Sequence, residues 1–502
     1  MVDLEYLKKS PWEKFAFNFT NYFKKLPSRL AAFFKSIPKL FVALWHKILS
    51  MFGLIGHAAK EGDWKTRLSF GIMGFGQVTR KQYLRGILYF IFEVVFIFYM
   101  VFFGWKYLVK LGSLGETAMI EVWDEAQGIY VYEFYDNSLL ILLYSILTIL
   151  IMCAFVCAWY QNIKGSITAQ QILEAKQHLA DTKDDIKALA DSAYHKTLLS
   201  VPMLGLTVFT ILPIIFMIFI AFTNYDTVHM PPKELFSWVG LENFVTLFGG
   251  GLSANSKVFA NTFGSVLLWT IIWAFFATFS NYFLGMIVAL MINKKGIRFK
   301  KLWRTILVIT IAVPQFVSLM LMSQLLADQG LINRLLLSWG WIDDPIPFLS
   351  NGNAAKATII IVNIWIGIPF TMLICTGILM NIPADLYESA RIDGASPVVA
   401  YMKITLPYML HVTTPYLITQ FIGNLNNFNV IFLLSGGEPI NNNLQYAGET
   451  DLLITWLYKL TVNQQQYGIA SVIGLVTFVI VAVFSLILYN RSGSVKNEEE
   501  FM

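Results

Sequence analysis

Charge is scarce in this 502-residue chain: Asp, Glu, Lys and Arg together make up 14% of it, against 56% hydrophobic residues. With a mean hydropathy of +0.59, that balance excludes an ordinary soluble domain. Cysteine is rarer still. Cys153, Cys157 and Cys375 all fall inside apolar runs. Thiols buried at lipid depth provide neither a disulfide framework nor a metal site. The dipeptide Gly-Lys does not occur, which removes the phosphate loop GxxxxGK[ST] and with it nucleotide hydrolysis by this chain. Gly71, Gly74 and Gly76 follow no strand and make no dinucleotide fingerprint. No His, Cys and carboxylate cluster has metal spacing, and no nucleophile–base pair can be argued, so the chain is read as a non-catalyst without a metal or cofactor of its own. The apolar runs are almost free of ionisable residues, Glu93 being the exception. Ion-coupled transport places carboxylates or histidines at midplane; a structural role beside polar neighbours is expected for Glu93.

What the chain has in abundance is long apolar runs. About eight are long enough to cross a bilayer, centred in 87–111, 138–160, 200–223, 263–292, 302–327, 357–380, 414–434 and 468–490. The fold class read from them is an all-α polytopic membrane protein. Segments 1–85 and 293–304 are rich in Lys and Arg, whereas 112–137 has none and carries six carboxylates. The positive-inside rule then puts the N-terminus in the cytoplasm, and an even number of spans returns the C-terminus there. The first span lies too far from the start for a cleavable signal peptide. The net charge of +5 belongs to the inner-face loops, which gives no support to nucleic-acid binding. Over 30–52 an apolar stripe from Leu30 to Phe52 with Lys35, Lys39 and Lys47 outside it predicts an amphipathic helix lying on the inner leaflet. Segment 163–197, with Ile172, Leu179 and Ile186 at heptad spacing, predicts a cytoplasmic helical extension that lengthens the neighbouring spans.

The polar island at 382–407 carries more punctuation than a connecting loop needs. Pro383 suits a first helical position and Asp385 the positive end of the helix dipole. Gly394 can take a left-handed stop, and Ser396-Pro397 can begin a second helix. A helix, a turn and a second helix on the inner face predict a docking site for a cytoplasmic partner.

Inside the spans the polar groups are neutral: Gln315 after Pro314, Asn363 and Trp365 before Pro369-Phe370, and Asn424, Asn426, Asn427 and Asn429 around Phe428. Amides in hydrocarbon are costly unless paired or wetted. They are either glue between helices or, beside flat apolar faces, the lining of a path for a neutral polyhydroxylated ligand.

The island resembles the EAA loop of membrane subunits in ABC importers. Glu388-Ser389-Ala390, Asp393-Gly394-Ala395 and Ile404-Thr405-Leu406-Pro407 stand where that family has Glu-Ala-Ala, Asp-Gly-Ala and Ile/Leu-x-Leu-Pro. The runs 362–369, 424–429, 433–439 and 447–453 are similar to the MalF-type permease of maltose/maltodextrin importers, a likeness that covers about the last three hundred residues. The resemblance implies a type I ABC importer permease fold. It also implies a second related permease subunit of the MalG type, two copies of a cytoplasmic ABC ATPase that bind ATP and Mg, and an extracellular sugar-binding protein. Glu388, Ser389, Ala390, Asp393, Gly394, Leu406 and Pro407 would couple to the ATPase. The family's midmembrane sugar site maps onto Ile311, Gln315, Asn363, Ile366, Gly367, Phe370, Gly423, Asn424 and Asn427. Ile311 and Phe370 replace tyrosines, Gly423 an aromatic and Gln315 a small hydroxyl, and the glycine leaves room for a longer glucan. The string Leu434-Ser435-Gly436-Gly437-Glu438 looks like an ABC ATPase signature but, without a phosphate loop, is read as a turn. The outer loop 224–261 is too short for the large folded domain of the Gram-negative member.

The expected organisation is a cytoplasmic segment 1–85, two spans and a charged helical loop over 86–199, a transporter core over 200–491 including 382–407, and a cytoplasmic tail 492–502, in the cell membrane. The leading function is the permease of an ATP-driven maltose/maltodextrin importer. A permease for another di- or oligosaccharide, or a stand-alone secondary sugar transporter, is the alternative.

Overall fold

The computed structural model describes residues 49–489 apart from Ala126, Leu252, Ser253 and Lys295, together with Val42, Trp45 and His46. The amphipathic helix expected over 30–52 therefore falls largely outside the described residues, as does the tail 492–502. Among the described residues six helices are long and apolar enough to cross a membrane unaided: Tyr83–Lys110, Ser138–Glu174, Tyr194–Ile220, Ser256–Asn293, Gly352–Leu379 and Tyr467–Ile487. Two bent pairs, Lys300–Ala312 with Gln315–Leu325 and Pro397–Leu425 with Phe428–Leu434, supply the other two. With each bent pair taken as one span, the eight runs seen in the sequence correspond to eight spans among the described residues, the fifth and seventh of them broken.

Each break has a local cause. A residue before proline is pushed out of the helical region, and Val313 sits extended at φ −78° and ψ 124°. Pro314 then starts the next segment, and the two halves meet at 89°. In the seventh span Asn426 leaves helical geometry at φ −110° and ψ 26°. The Asn427 side chain accepts from the Val430 N–H and starts the segment Phe428–Leu434, at a bend of 45°. Broken helices at membrane depth are tolerated where protein or a water-filled cavity satisfies the freed backbone.

The chain divides into two compact units, one running to Val109 and resuming over Leu143–Thr210, the other made of Lys110–Leu142 and everything from Ile211. In the first unit, Arg80 is the buried hub. It donates to Asp63, Thr66, Ser166 and the Gly76 carbonyl, so a buried cation is fully paired. Glu93, buried, accepts from the Met73 backbone N–H at 2.8 Å, the structural role expected of it. Segment 163–197 is not one continuous extension. The second span runs on to Glu174, the chain turns at Lys176 (φ 54°), and a separate helix, Thr182–Ala190, opens with Asp181 in a capping box.

In the second unit the acidic stretch after the first span forms a small antiparallel hairpin, Glu121–Asp124 against Ile129–Tyr132, turned at Gly128. The core runs between Ser256–Asn293, Gly352–Leu379 and Pro397–Leu425, where Tyr282, Met286, Ala289, Met372, Cys375, Met409 and Leu417 form one buried cluster. Small groups let these helices approach: Gly285 lies so close to Thr371 that a Cβ there would sit 2.7 Å from the threonine Cβ. Thr413 donates to the Tyr282 hydroxyl at 2.7 Å, closing the same interface with a polar contact. Of the three thiols only Cys375 is buried; Cys153 and Cys157 are exposed on the face of the second span, because that helix packs few neighbours over its apolar length.

A candidate translocation cleft and an exposed coupling island

Both broken spans open onto one cleft of about 520 Å³ in the second unit, within the size range of small-ligand sites. Its wall draws on the fourth to seventh spans. Asn363, Ile366, Gly367 and Phe370 are spaced i, i+3, i+4 and i+7 on the sixth span, which puts them on one face; Gln420 and Asn424 are i and i+4 on the seventh, Asn427 follows at its break, and Asn281 comes from the fourth. The break at Pro314 contributes Thr310, Ile311, Gln315 and Ser318. None of the lining residues is ionisable.

The amides are held from behind. Asn424 donates to Thr278 Oγ1 at 3.0 Å, Asn427 donates to Asn424 Oδ1 at 3.2 Å, and Asn281 donates to the Ala277 carbonyl at 2.8 Å. Two atoms of the wall have no partner: Asn281 Oδ1, an acceptor, and Asn363 Nδ2, a donor. Unpaired amide atoms are expensive in a dry interior, and both belong to residues that line the cleft. Phe370 and Trp365, both half exposed, add flat apolar faces of the kind that stack on sugar rings.

Eight of the nine residues mapped from the sequence line this cleft: Ile311, Gln315, Asn363, Ile366, Gly367, Phe370, Asn424 and Asn427. Gly423 does not. Gly423 is turned about 100° around the helix from Asn424, and a side chain there would meet nothing within 4 Å. Phe428 is also turned away, stacked on Phe432 and against Tyr458. Sequence reasoning missed Asn281, Ser318 and Gln420. Gln420 was visible as the i−4 neighbour of Asn424. Asn281 stands alone in an apolar span and is recognised only through packing, because its amide fills the space left by Gly367: a Cβ on Gly367 would fall 2.3 Å from Asn281 Nδ2.

The island at 382–407 folds as a helix, a turn and a second helix. The first helix is Ala384–Ile392, with Pro383 as its N-cap rather than its first residue. It ends in a Schellman arrangement: Gly394 at φ 77° donates to the Arg391 carbonyl at 3.1 Å and Ala395 donates to the Ala390 carbonyl at 2.9 Å, the bonds that satisfy the last carbonyls. Ser396 then accepts from the Val399 N–H and starts Pro397–Ala400. Glu388, Ser389, Asp393 and Gly394 are exposed, with Ala390 half-buried. Leu386, Ile392, Val398 and Met402 expose apolar surface around them, Ile392 to 86%. Leu406 and Pro407 stand apart from that surface at the base of the seventh span, and Leu406 packs on the buried cluster of Tyr282 and Met372. A hydrogen bond of 2.8 Å between Tyr387 and buried Thr405 ties the exposed helix to that base, and a single π-helical turn over Tyr401–Thr405 separates the two.

The string 434–438 is a turn, as read: Ser435 caps the preceding helix and Gly436 and Gly437 have positive φ. Behind it, buried Asp451 accepts from Lys459 at 2.7 Å and from the Gly448 N–H. Glu449 accepts from Lys356 at 2.8 Å, a bond that holds its carboxyl below the usual range against the opposing effect of burial, with Asn441 adding to it.

Comparison with known proteins agrees with this architecture. Residues 281–492 match the family described as binding-protein-dependent transport system inner membrane component. Over 429 residues, 85% of this chain and 97% of the relative, the sequence is 33% identical to the galactooligosaccharides transport system permease protein GanP of Bacillus subtilis (strain 168). It is 32% identical over 439 residues, 85% and 95% of the two chains, to the maltodextrin transport system permease protein MdxF of the same organism. Among solved structures, a bacterial ABC transporter involved in the import of the acidic polysaccharide alginate shares the fold, with a TM-score of 0.50 and 24% identity over 61% of this chain and 96% of that one. These likenesses also account for the missing phosphate loop, since the family is one of transport subunits. The chain therefore belongs to the binding-protein-dependent transport system inner membrane components, as a MalF-type, multi-pass permease of an ABC importer.

Proposed function

We propose that the cleft carries a neutral oligosaccharide, a maltodextrin in the leading reading, across the cell membrane. The observation that supports this is the wall itself: amides and aromatic faces at two helix breaks, with no ionisable side chain among them. Asn363, Asn424, Asn427 and Gln315 supply donors and acceptors to sugar hydroxyls, and Phe370 stacks. Ile311, Ile366 and Gly367 shape the passage. The likeness to a galactooligosaccharides permease favours a second reading, in which the same wall takes galactooligosaccharides.

The 200–491 core does the translocating, with both termini in the cytoplasm and 382–407 on the inner face. There Glu388, Ser389, Ala390, Asp393 and Gly394 dock on one of two ABC ATPase subunits that bind ATP and Mg, while Leu406 and Pro407 anchor the loop. A second permease of the MalG type completes the pathway, and an extracellular sugar-binding protein delivers the cargo. The cluster of Tyr282, Met372, Cys375 and Met409 joins the helices that carry the loop to those that carry the cleft, so movement of the docked helix reaches Asn281 and Phe370 through packed contacts. ATP-dependent uptake of labelled maltose, maltotetraose and galactotriose into vesicles holding the complete transporter tests the reading. Maltotetraose uptake is expected; transport of galactotriose alone selects the second reading, and uptake without ATP overturns both.

A further inference from the structure

The first unit holds a second cavity, of about 540 Å³, which the transport reading does not use. It lies between the start of the first span, the inner part of Ser138–Glu174 and the helix Thr182–Ala190. Three cations, Arg85, Lys164 and Lys196, and one carboxylate, Asp185, line it. Arg85 and Asp185 pair with each other. The two lysines have no ion-pair partner among the described residues and are exposed, so the cavity favours an anion. Its wall also holds two acceptors without partners, Gln77 Oε1 and Asp185 Oδ2. Gln77 is 1% exposed and Asp185 5%, so these are buried groups short of a donor, not solvated ones. One rim is apolar: Leu84, Leu88 and Tyr89 from the first two turns of the span, the level at which lipid headgroups lie.

We propose that this cavity binds the headgroup of an anionic, hydroxyl-bearing phospholipid, with the phosphate on Lys164 and Lys196 and the polyol hydroxyls donating toward Gln77 and Asp185. The acyl chains then run along Leu84 and Leu88. Each group of the ligand meets a need of the wall: net negative charge for the unpaired lysines, donors for the two orphaned acceptors, hydrocarbon for exposed Leu88 and half-buried Leu84. A zwitterionic choline headgroup offers neither the net charge nor the donors. A soluble glycerol phosphate offers both but not the hydrocarbon.

Binding of short-chain lipids to the delipidated, purified transporter, followed by native mass spectrometry, tests the assignment. Dioctanoyl phosphatidylglycerol should bind more tightly than dioctanoyl phosphatidylmethanol, which is anionic without hydroxyls, and that more tightly than dioctanoyl phosphatidylcholine. Replacing Lys164 and Lys196 together by Gln should weaken phosphatidylglycerol on the order of tenfold, whereas Lys60→Gln, an exposed lysine outside the cavity, should not. Both variants alter exposed side chains and leave the buried network intact. Equal affinity for the three lipids, or equal loss in the Lys60 control, overturns the proposal as nonspecific charge attraction. Glycerol phosphate binding as tightly as phosphatidylglycerol overturns the lipid source.

Discussion

Replacing Gly367 by alanine adds one methyl group where the sixth span meets Asn281. That Cβ would lie 2.3 Å from Asn281 Nδ2, 2.6 Å from its Cγ and 2.8 Å from its Oδ1, all closer than a carbon can approach. Either the helices part, or the amide swings away and gives up its bond to the Ala277 carbonyl. Overpacking of this kind costs about 1–3 kcal/mol, and a lost neutral hydrogen bond about 1 kcal/mol. All three clashing atoms lie beyond the Cβ of Asn281, so Asn281→Ala removes the obstruction. A double-mutant cycle separates the effects: Gly367→Ala alone should lower stability by about 1–3 kcal/mol, and the double variant should be no less stable than Asn281→Ala alone. Thermal unfolding of the purified transporter in detergent reads stability, and sugar uptake reads the cleft. Simple additivity of the two substitutions would refute the contact on which this reasoning rests.

Gly394→Ala forces a side chain into the left-handed region, at about 1–2 kcal/mol, although the space around it is open. It should impair uptake without impairing membrane insertion, and Gly394→Asn, which tolerates that geometry, should retain more transport than alanine. Copurification with the ATPase measures the docking directly, and an alanine variant that copurifies and transports normally counts against the docking role. In the loop after the seventh span, the lowered pKa of Glu449 means that its bond to Lys356 stabilises fully at neutral pH and above. That contribution is lost as the pH falls below the ordinary value of 4.5 and through the lowered one. Glu449→Gln should remove this part of the acid-dependent loss of thermal stability, and an unchanged pH profile would exclude the tether.

The spans were legible because hydrocarbon demands long apolar runs, and the island because Pro383, Gly394 and Ser396 each have a backbone reason for their position. The sequence also shows why Pro314 breaks a helix, though not that the two halves turn by 89°. What stayed hidden depends on contacts distant in the chain. Asn281 belongs to the cleft only because Gly367, on another span, lacks a side chain. Gly423, carried over from the family resemblance, does not line the cleft with Asn424, because a resemblance in sequence does not register position around the helix. The hairpin at Glu121–Asp124 and Ile129–Tyr132 was overlooked because its segment was read for charge, while Val122, Trp123, Tyr130 and Val131 carried the strand signal.

The central claim is that sugar passes the amide wall of the cleft. Replacing Asn363 and Asn424 by leucine, singly and together, removes donors and acceptors while keeping the number and branching of side-chain heavy atoms. In vesicles holding the complete transporter, uptake of labelled maltotetraose is measured beside ATP hydrolysis. The account predicts at least a tenfold fall in uptake for the double variant, as for two lost hydrogen bonds of about 1 kcal/mol each, with basal hydrolysis retained because the docking island is untouched. Uptake at the rate of the unaltered transporter would contradict it.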